Sequence, residues 1–562
     1  MASNARRSQT QNQNPAREHR PPGSPDGLAS RVTDPTQSKP LSGALRELLS
    51  DPLSGPAIVV YLAVLKLLLH FYYSAFSNYG LFFDELQIFD YVKHLDWCYV
   101  DDTPRTIWLA GLSRVLMGDS VFAVRFFPAI AGALTIVVVG LIARELGGGR
   151  FALGLAALAA LIAPVYLGAQ SLLSPPAWEP VWWGLCAYFL IRIIKTGNPR
   201  PWVGFGVILG LGFLNKVSML FLGAALTAGL LLTPERKYLF DRCVFIGGLI
   251  ALVIVSPCIL WQIARGWPTV EFLAGRRSYA AATPAWGFLL GQVLCLHPLN
   301  LPIWLAGLGW FFFEQDARPF RFFGWTYLLL LGFVLLFKSQ VYYFTPVYTF
   351  LLAGGAVAIE RWVNQRGLRR LKLVLPATLV AGGLVVAPMV LPVLPIEKTD
   401  AYVTAATVGL LKNYTWVVTF AFHCASGWQN QAKVVAEVFH RLSPAEQADC
   451  IIFASNYREA AAIDFYGPAL GLPAATASHQ SYYFWGPPAK SGNLIIFVGV
   501  KRDISLSDLE RNFEEVQHAA TIESPEAGTA GEQNVPVYIC RKPRFSLKKS
   551  WPQFRAKAFL ND

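Results

Sequence analysis

Long apolar segments alternate with short polar connections between residues 56 and 395. A helix needs about 20 mostly apolar residues, with a lower limit of about 17, to cross the hydrocarbon core of a bilayer. Eleven segments approach or exceed that length: residues 56–76, 120–143, 151–169, 176–194, 201–215, 217–233, 243–263, 285–313, 322–337, 341–360 and 372–394. The pattern therefore predicts a polytopic α-helical membrane protein with about eleven spans.

The two ends of the chain have a different pattern. The first 50 residues are rich in Gln, Asn, Pro, Ser and Arg, which is typical of a disordered tail. They contain no signal-peptide cleavage pattern, so the first apolar segment is expected to be an uncleaved anchor. After residue 395, short apolar runs at 450–454, 493–500 and 535–540 predict strands, and 456–466 and 506–518 have helical spacing. The predicted parts are a tail (1–50), a membrane domain (51–395) and a small α/β extramembrane domain (396–562).

Basic residues mark one side of the predicted membrane. With a cytoplasmic N-terminus, the inside connections hold Arg144 and Arg150; Arg192, Lys195 and Arg200; Arg236, Lys237 and Arg242; Arg318 and Arg321; and Arg361, Arg366, Arg369, Arg370 and Lys372. Outside connections such as residues 170–177 carry no Lys or Arg. Because cytoplasmic loops of membrane proteins hold the excess of these residues, an odd number of spans places residues 396–562 outside the cytoplasm.

Composition narrows the class of protein further. Hydrophobic residues make up 54% of the 562 and charged residues 15%, unlike an ordinary soluble domain. The net charge of +12 follows from the basic connections and needs no nucleic-acid partner. The eight cysteines show no CxxC or Cys/His metal spacing. Cys186, Cys243, Cys258 and Cys295 are expected to be buried thiols, whereas a bond between Cys424 and Cys450 stays open.

Acidic side chains collect in the first exterior connection, residues 77–120. They are Asp84, Glu85, Asp90, Asp96, Asp101 and Asp102. Residues 107–117 are apolar with one Arg and predict a helix in the membrane interface. Because carboxylates held among apolar groups at a membrane are costly, Asp84 and Asp101 are candidate functional acids of an enzyme or transporter. Asp90 and Asp96 are expected to form a solvated loop face.

A series of motifs resembles a known family. In chain order they are FFDEL, YVDDTPRTIWLAGL, GDSVFAVRFFPAIAGALTIVVV, GLGFLNK, GWPTVEFL, LCLHPLNLPIWLAGL and KSQVYYFTPVYTFLLAGGAVAIE. Their collinear order over residues 56–395 resembles the family 39 glycosyltransferases, and SNYREAAAIDFYG and SHQSYYFWGPP extend the likeness weakly into the tail domain. These enzymes comprise the dolichyl-phosphate-mannose protein mannosyltransferases and the lipid A aminoarabinose transferases. The resemblance implies the C-type glycosyltransferase membrane fold.

The resemblance also implies roles for the acids. The family's acid after the first span corresponds to Asp84, followed by Glu85, and its second acid corresponds to Asp101. These three are the expected catalytic residues, with Asp84 as the base that takes the acceptor's proton. Asp102 stands where the family commonly has His, and Thr103 where it commonly has Pro. Asp102 and His297 are candidates for lining the acceptor cavity, although a hydrogen-bonded core histidine is the preferred alternative for His297.

Such enzymes transfer a sugar from a polyprenyl-phosphate carrier to an acceptor hydroxyl with inversion, so cations must face the departing phosphate. The exterior candidates are Lys216, Arg265, Arg276, Arg277 and Lys338. For Lys216 and Lys338 the alternative is snorkelling to the headgroups. The pair Arg276 and Arg277 has equal odds of being a solvated surface pair. Whether a metal takes part is left open. If one does, Glu85, Asp101 and Asp102 are the candidate ligands of a divalent cation such as Mg or Mn.

The leading hypothesis is therefore an inverting glycosyltransferase of the bacterial inner membrane that acts on the extracytoplasmic face. Its partners would be a polyprenyl-phosphate-linked sugar and a lipid, glycan or protein acceptor, with no nucleic acid. The alternatives are a multi-span transporter or lipid flippase and an inactive scaffold. No convincing internal repeat supports a transporter, and the intact Asp84 argues against a scaffold. The sugar, the acceptor and the oligomeric state stay open.

Overall fold

Helices occupy the apolar segments from residue 55 onward. The computed structural model describes residues 47, 50–76, 79–279, 284–407, 409, 421–499, 505–525, 533–556 and 558–559, without the side chains of 276–279. These belong to one compact unit, residues 39–562. The predicted tail, residues 1–50, lies almost entirely outside the described residues.

The membrane domain consists of helices joined by short connections. They are α1 (Gly55–Phe76), α2 (Phe83–Lys93), α3 (Pro104–Met117), α4 (Val121–Glu145), α5 (Arg150–Ile162), α6 (Pro164–Ala169), α7 (Glu179–Thr196), α8 (Pro201–Phe213), α9 (Ser218–Leu231), α10 (Arg242–Ala264), α11 (Pro268–Tyr279), α12 (Ala285–Leu296), α13 (Leu301–Phe313), α14 (Arg321–Leu336), α15 (Tyr348–Gln365) and α16 (Leu371–Val390). Local signals set several of their ends. Ser120 caps α4 by accepting from the amide of Ala123, and Asp241 caps α10 by accepting from that of Cys243.

Six helices of the described chain are long and apolar enough to cross a membrane. They are Gly55–Phe76, Val121–Glu145, Arg242–Ala264, Arg318–Leu336, Val341–Gln365 and Leu371–Val390. A seventh span is possible if the bent pair Ala285–Leu296 and Pro298–Phe313 counts as one. The helical membrane architecture is thus confirmed, whereas the number of eleven spans stays a prediction.

Two segments predicted as single spans are broken. The helices in residues 285–313 meet at 95°, with His297 at the corner in a positive-φ conformation of 77°. Residues 151–169 divide at Ala163 into α5 and α6 because Pro164 lacks an amide hydrogen and begins a new helix. A continuous apolar run indicates that a segment is buried, but it does not indicate where the helix bends.

Small residues let the helices pack closely. A side chain at Gly355 of α15 would overlap the carbonyl oxygen of Ile303 in α13, and one at Gly307 would overlap that of Leu351. Glycine contacts of this kind allow backbones to approach in membrane proteins. They hold the bundle that supports the first exterior connection.

The tail domain contains a five-stranded sheet in the order β2-β1-β3-β5-β4. Its strands are β1 (Ile451–Ala454), β2 (Ala475–Thr476), β3 (Leu494–Val498), β4 (Phe513–Glu523) and β5 (Asn534–Pro543). Strands β1, β2 and β3 pair in parallel, and β5 runs antiparallel to β3 and β4. Helices α17 (Ile396–Ala406), α18 (Trp428–His440), α19 (Pro444–Asp449), α20 (Tyr457–Tyr466), α21 (Ser481–Trp485), α22 (Leu506–Asn512) and α23 (Leu547–Ser550) complete it.

One tail element was wrong in the sequence prediction. Residues 506–518 were expected to be helical, but the helix ends at Asn512 and β4 begins at Phe513. Val516 pairs with Cys540 of β5 in an antiparallel ladder. The hydrogen bonds of this ladder pair the backbone amide and carbonyl groups of the segment. They favour a strand there in spite of the helical spacing of its apolar residues.

The tail domain packs against the first exterior connection. Leu86 and Phe83 of α2 share a buried apolar cluster with Trp428, Tyr457 and Ala460 of the tail domain. Helices α2 and α20 lie in contact. This contact positions the candidate site described next.

Candidate active site

The acids Asp84 and Glu85 lie in the first turn of α2. The carboxylate of Glu85 accepts from the amide of Phe82 at 2.9 Å, which caps the helix. Negative charge in the first turn also complements the positive end of the helix dipole. Being consecutive on a helix, the two side chains point in different directions.

Glu85 is buried in an ion pair with Arg125 of α4. The carboxylate oxygens lie 3.0 Å from Nε and 2.7 Å from Nη2 of Arg125, and both side chains are almost fully buried. The amide of Leu173 also donates to Glu85 at 2.8 Å. A carboxylate with these four donors suits an anchor for α2 better than a proton acceptor.

Asp84 faces the tail domain. The hydroxyl of Tyr457, in α20, donates to its Oδ1 at 3.2 Å. The pKa of Tyr457 is raised, first by burial and then by the charge on Asp84, and the charge on Asp101 adds to the rise. The hydrogen bond from Tyr457 thus joins Asp84 to the tail domain.

Asp101 is held by side chains of α2. Tyr91 donates to its Oδ1 at 2.6 Å and Gln87 to its Oδ2 at 3.3 Å. Burial raises the pKa of Tyr91, and the charge on Asp101 raises it further, so the Tyr91 hydroxyl stays protonated and donates. Gln87 also hydrogen-bonds Gln480 of the tail domain. Asp102 is half-buried beside this site, and its backbone carbonyl accepts from Tyr99 at 3.1 Å.

Two cations lie together between α7, α8 and the start of α3. Lys216 pairs with the buried Glu179 at 3.1 Å, and its ammonium lies 4.2 Å from the ring centre of Tyr343. Arg105 lies over the rings of Trp178 and Trp182, at 4.1 and 4.6 Å. The two cations are linked because Arg105 donates to the side chain of Asn215, next to Lys216, at 3.1 Å.

Arg105 was not among the phosphate-binding residues predicted from the sequence. Burial lowers its pKa to about 10, so it remains charged at neutral pH. Nearby, the hydroxyls of Thr103 and Thr106 are buried at the start of α3, without a hydrogen-bond partner in the part of the chain that the structure describes. A helix N-terminus with hydroxyls and a guanidinium suits an anion. The sequence could have indicated Arg105 as a phosphate-binding residue, because it lies at the start of a helix directly after Asp101 and Asp102.

The other predicted cations are placed separately. Arg265 pairs with Asp96 at 3.0 Å and lies 4.4 Å from the ring of Trp261. Lys338 is exposed just beyond α14. Arg276 and Arg277 lie on α11, but their side chains are outside the described residues. Their predicted phosphate contacts stay predictions.

His297 lies at the corner between α12 and α13. It is 4% exposed, and its Nδ1 accepts from the amide of Leu299 at 3.1 Å. Its ring also lies against Gly382 of α16. These contacts favour the core-histidine alternative over a cavity-lining role.

The predicted metal ligands do not form a set. The carboxylate of Glu85 is already paired with Arg125. Among the described residues, no group of three or more His, Cys, Asp or Glu side chains is placed to hold a metal ion. The divalent cation stays a prediction, and no step of the reaction is assigned to one.

Two expectations about buried groups were wrong. Cys258 is not a free thiol but forms a disulfide with Cys98, joining the first exterior connection to α10, and Cys424 and Cys450 form no disulfide with each other. Asp90 is not on a solvated face: it is 1% exposed and pairs with Lys93 at 2.8 Å. The disulfide joins residues 160 positions apart, and Asp90 is covered by Tyr482 of the tail domain. Local sequence patterns report neither of these long-range contacts.

A cleft lies beside Glu179. It is small and is lined by Val165, Tyr166, Ala169, Pro176, Glu179, Pro180, Tyr342, Thr345 and Pro346. Apolar and aromatic side chains dominate this list, with one carboxylate that Lys216 neutralises. The cleft thus places Glu179, the partner of Lys216, beside apolar side chains.

Comparisons with known proteins agree with this architecture. The family model of dolichyl-phosphate-mannose-protein mannosyltransferase matches residues 101–261. An undecaprenyl phosphate-alpha-4-amino-4-deoxy-L-arabinose arabinosyl transferase of Yersinia pestis is 27% identical over 304 residues, 49% of this chain and 53% of that protein. Its counterpart from Pseudomonas paraeruginosa is 24% identical over 212 residues, 34% of this chain and 38% of that protein. The match thus spans about half the length of the first relative.

Solved structures show the same fold. Apo ArnT from Cupriavidus metallidurans superposes with a TM-score of 0.56 at 17% identity, over 85% of this chain and 97% of that one. ArnT bound to undecaprenyl phosphate superposes with a TM-score of 0.55 at 16% identity and the same coverage. The resemblance to the dolichyl-phosphate-mannose protein mannosyltransferases and aminoarabinose transferases is therefore confirmed, and the chain has the C-type glycosyltransferase fold of ArnT.

Proposed function

We propose that this protein is an inverting glycosyltransferase that moves a sugar from a polyprenyl-phosphate carrier to an acceptor hydroxyl. The observation that carries the proposal is the hydrogen bond from the buried Tyr457 hydroxyl to Asp84 in the first exterior connection, within a fold shared with ArnT. The relatives' names specify an undecaprenyl phosphate donor. That donor class is proposed here as well, with a lipid, glycan or protein acceptor.

Asp84 is the proposed base. Its carboxylate takes the proton of the acceptor hydroxyl while the hydroxyl oxygen attacks the anomeric carbon of the donor. A new carbon–oxygen bond forms on the face opposite the phosphate, and the bond from the anomeric carbon to the phosphate oxygen breaks. The lipid phosphate leaves with that electron pair, so the configuration inverts.

The departing phosphate needs positive charge around it. We assign this role to Lys216 and Arg105, because Arg105 donates to Asn215, the neighbour of Lys216 in sequence. Among the described residues, the buried hydroxyls of Thr103 and Thr106, on either side of Arg105, have no hydrogen-bond partner. Preorganised donors in a site with little water stabilise charge that develops in the transition state.

The proposed site faces the extracytoplasmic side of a bacterial inner membrane, with the N-terminus in the cytoplasm. Two independent features support this orientation. In the predicted eleven-span topology, the five connections between Arg144 and Lys372 that were assigned to the cytoplasm all carry Lys or Arg. The disulfide between Cys98 and Cys258 lies in the candidate site's own connection, and such bonds persist in oxidising compartments such as the periplasm.

The proposal is tested by sugar transfer in a purified system. Protein in nanodiscs would receive a panel of radiolabelled polyprenyl-phosphate sugars, with host membrane extract as the acceptor. We expect transfer by the native protein and a loss of at least about 100-fold for Asp84→Asn, since general bases contribute about that much or more. Asp119→Asn is the matched control because its carboxylate lies at the surface beside Arg114.

Two results would overturn the proposal. Absence of transfer from every donor by well-folded native protein would favour the transporter or scaffold alternatives. Full activity of Asp84→Asn would remove Asp84 as the base.

A further inference from the structure

We propose that the C-terminal domain completes the active site, with Tyr457 as a positioning residue for Asp84. The inference rests on the proposed function and deepens it. Asp84 belongs to the membrane domain and Tyr457 to the tail domain, 373 positions further along the chain. The C-terminal domain would therefore hold the proposed base, Asp84, in place. The sequence alone gave no role in the reaction for this domain.

The start of α20 is rigidly built. Asn456 caps the helix by accepting from the amide of Arg458 at 2.7 Å. The ring of Tyr457 packs edge-on against Phe83, with 6.2 Å between centres, and lies 5.3 Å from the ring of His479. These contacts lock the ring, so its hydroxyl has a defined direction toward Asp84.

The direction of the hydrogen bond follows from chemistry. Burial and nearby carboxylates raise the pKa of Tyr457, so its hydroxyl keeps its proton and donates to Asp84. A hydrogen bond donated to a carboxylate stabilises the charged form and lowers the carboxylate's pKa. Tyr457 would thus keep Asp84 ionised, as a base must be, and fix the plane of its carboxylate.

Arg458 supports this arrangement from the same helix turn. Its guanidinium lies 4.2 Å from the ring centre of Phe83, next to Asp84 in sequence. Its charge opposes the rise in the pKa of Tyr457. Its Nε also donates to the Tyr457 hydroxyl at 3.5 Å, so a positive charge lies beside the hydroxyl that donates to Asp84.

A second tie reaches Asp101. Gln87 donates to Asp101 at 3.3 Å and hydrogen-bonds Gln480 of the tail domain. The amide of Val100 donates to the hydroxyl of Ser481 at 3.2 Å. Both candidate acids are therefore tied to the tail domain, one directly and one through Gln87. Because misplacement by about 1 Å can cost about 100-fold in rate, docking of this domain would set the reaction geometry.

The experiment is steady-state transfer by Tyr457→Phe as a function of pH. We expect kcat to fall by about 10-fold or more, the size of one hydrogen bond to a charged group, with little change in KM for the donor. The acidic limb of the kcat/KM profile should move to higher pH because Asp84 loses a donor. The matched control is Tyr538→Phe, a half-buried tyrosine of β5 next to His518.

The pH profile separates positioning from a purely structural role. Unchanged kcat and an unmoved acidic limb would overturn the inference. So would a loss of activity that follows a lower unfolding temperature without movement of that limb. A shifted limb in a protein that unfolds like the native one supports it.

Failure of the proposed function would give a different result. If the native protein transfers no sugar, the proposed function fails, and the tie is judged by a double-mutant cycle in thermal unfolding with Asp84→Asn, Tyr457→Phe and the double variant. Effects that add would overturn the contact, whereas coupling between the substitutions supports it.

Discussion

At the scale of the residue, Asp84 and Glu85 show how adjacent acids acquire different environments. Asp84 reaches Tyr457 in the tail domain, whereas Glu85 turns into the membrane domain and meets Arg125. The sequence alone assigned both to catalysis because it shows their order and not the direction of each side chain. The four donors around Glu85 favour an anchoring role.

Substitution of Glu85 by Gln distinguishes anchoring from catalysis. We expect a loss of about 3 kcal/mol in the free energy of unfolding, because Arg125 would stay buried without a carboxylate. Thermal unfolding in detergent measures it. The control is Glu271→Gln, which breaks a pair with Arg555 whose members are both 40% exposed, and surface pairs contribute about 1 kcal/mol or less. A Glu85→Gln variant as stable as the native protein but inactive would restore Glu85 to catalysis.

At the scale of the element, hydropathy located the helices but not their breaks. Segment 372–394 corresponds to Leu371–Val390, and 120–143 to Val121–Glu145, because a long apolar run has few other stable forms in a membrane. The 95° corner at His297 was missed since both arms are apolar. The strand at Phe513–Glu523 was missed because its partner lies in a different segment.

The disulfide is the other element-scale feature that sequence did not specify. It joins the connection before α3 to α10 across 160 positions, a separation that no local pattern reports. It sits directly before Tyr99 and Val100, which lead into Asp101. The bond thus restrains the segment that carries one of the two candidate acids.

Thiol counting tests this bond. In protein denatured without reductant, maleimide should add six labels, one for each free cysteine, and eight after reduction. Mass spectrometry of the intact chain gives both numbers. The double variant Cys98→Ser/Cys258→Ser should take six labels under either condition. Eight labels without reduction would show that the bond is not formed and would remove it as support for the extracytoplasmic site.

At the scale of the whole molecule, packing between domains decides which acids are buried. Asp90 was expected to be solvated, yet the tail domain covers it: Tyr482 donates to Asp90, and Lys93 contacts both Asp90 and the backbone carbonyl of Asp464. The tail domain also supplies Tyr457 and Gln480 to the site. Contacts of this type join residues more than 300 positions apart, so periodicity predicted the parts and not their assembly.

Two of the acids at this boundary share one environment. Burial raises the pKa of both Asp90 and Asp464, and Lys93 offsets part of that rise for each. The charge on Asp90 also raises the pKa of Asp464, because two carboxylates at close range do not both ionise readily. The folded protein therefore keeps a proton on this pair at pH values where unfolded aspartates, with a pKa of about 4, have lost theirs.

This proton makes the stability of the docked protein depend on pH. An acid whose pKa is raised by folding binds more protons in the folded state, so stability falls as pH rises from about 4 to the raised value. We expect the unfolding temperature of the native protein to fall across this window.

The variant Asp464→Asn should flatten this fall and raise the free energy of unfolding at neutral pH by on the order of 1 kcal/mol. Its side-chain oxygen can still accept from the amide of Ala475, while the charge that repels Asp90 is gone. Thermal unfolding at several pH values measures this, with Asp96→Asn as the control because that carboxylate pairs with Arg265 at the surface. An Asp464→Asn variant with the native slope would show that the pair does not share a proton.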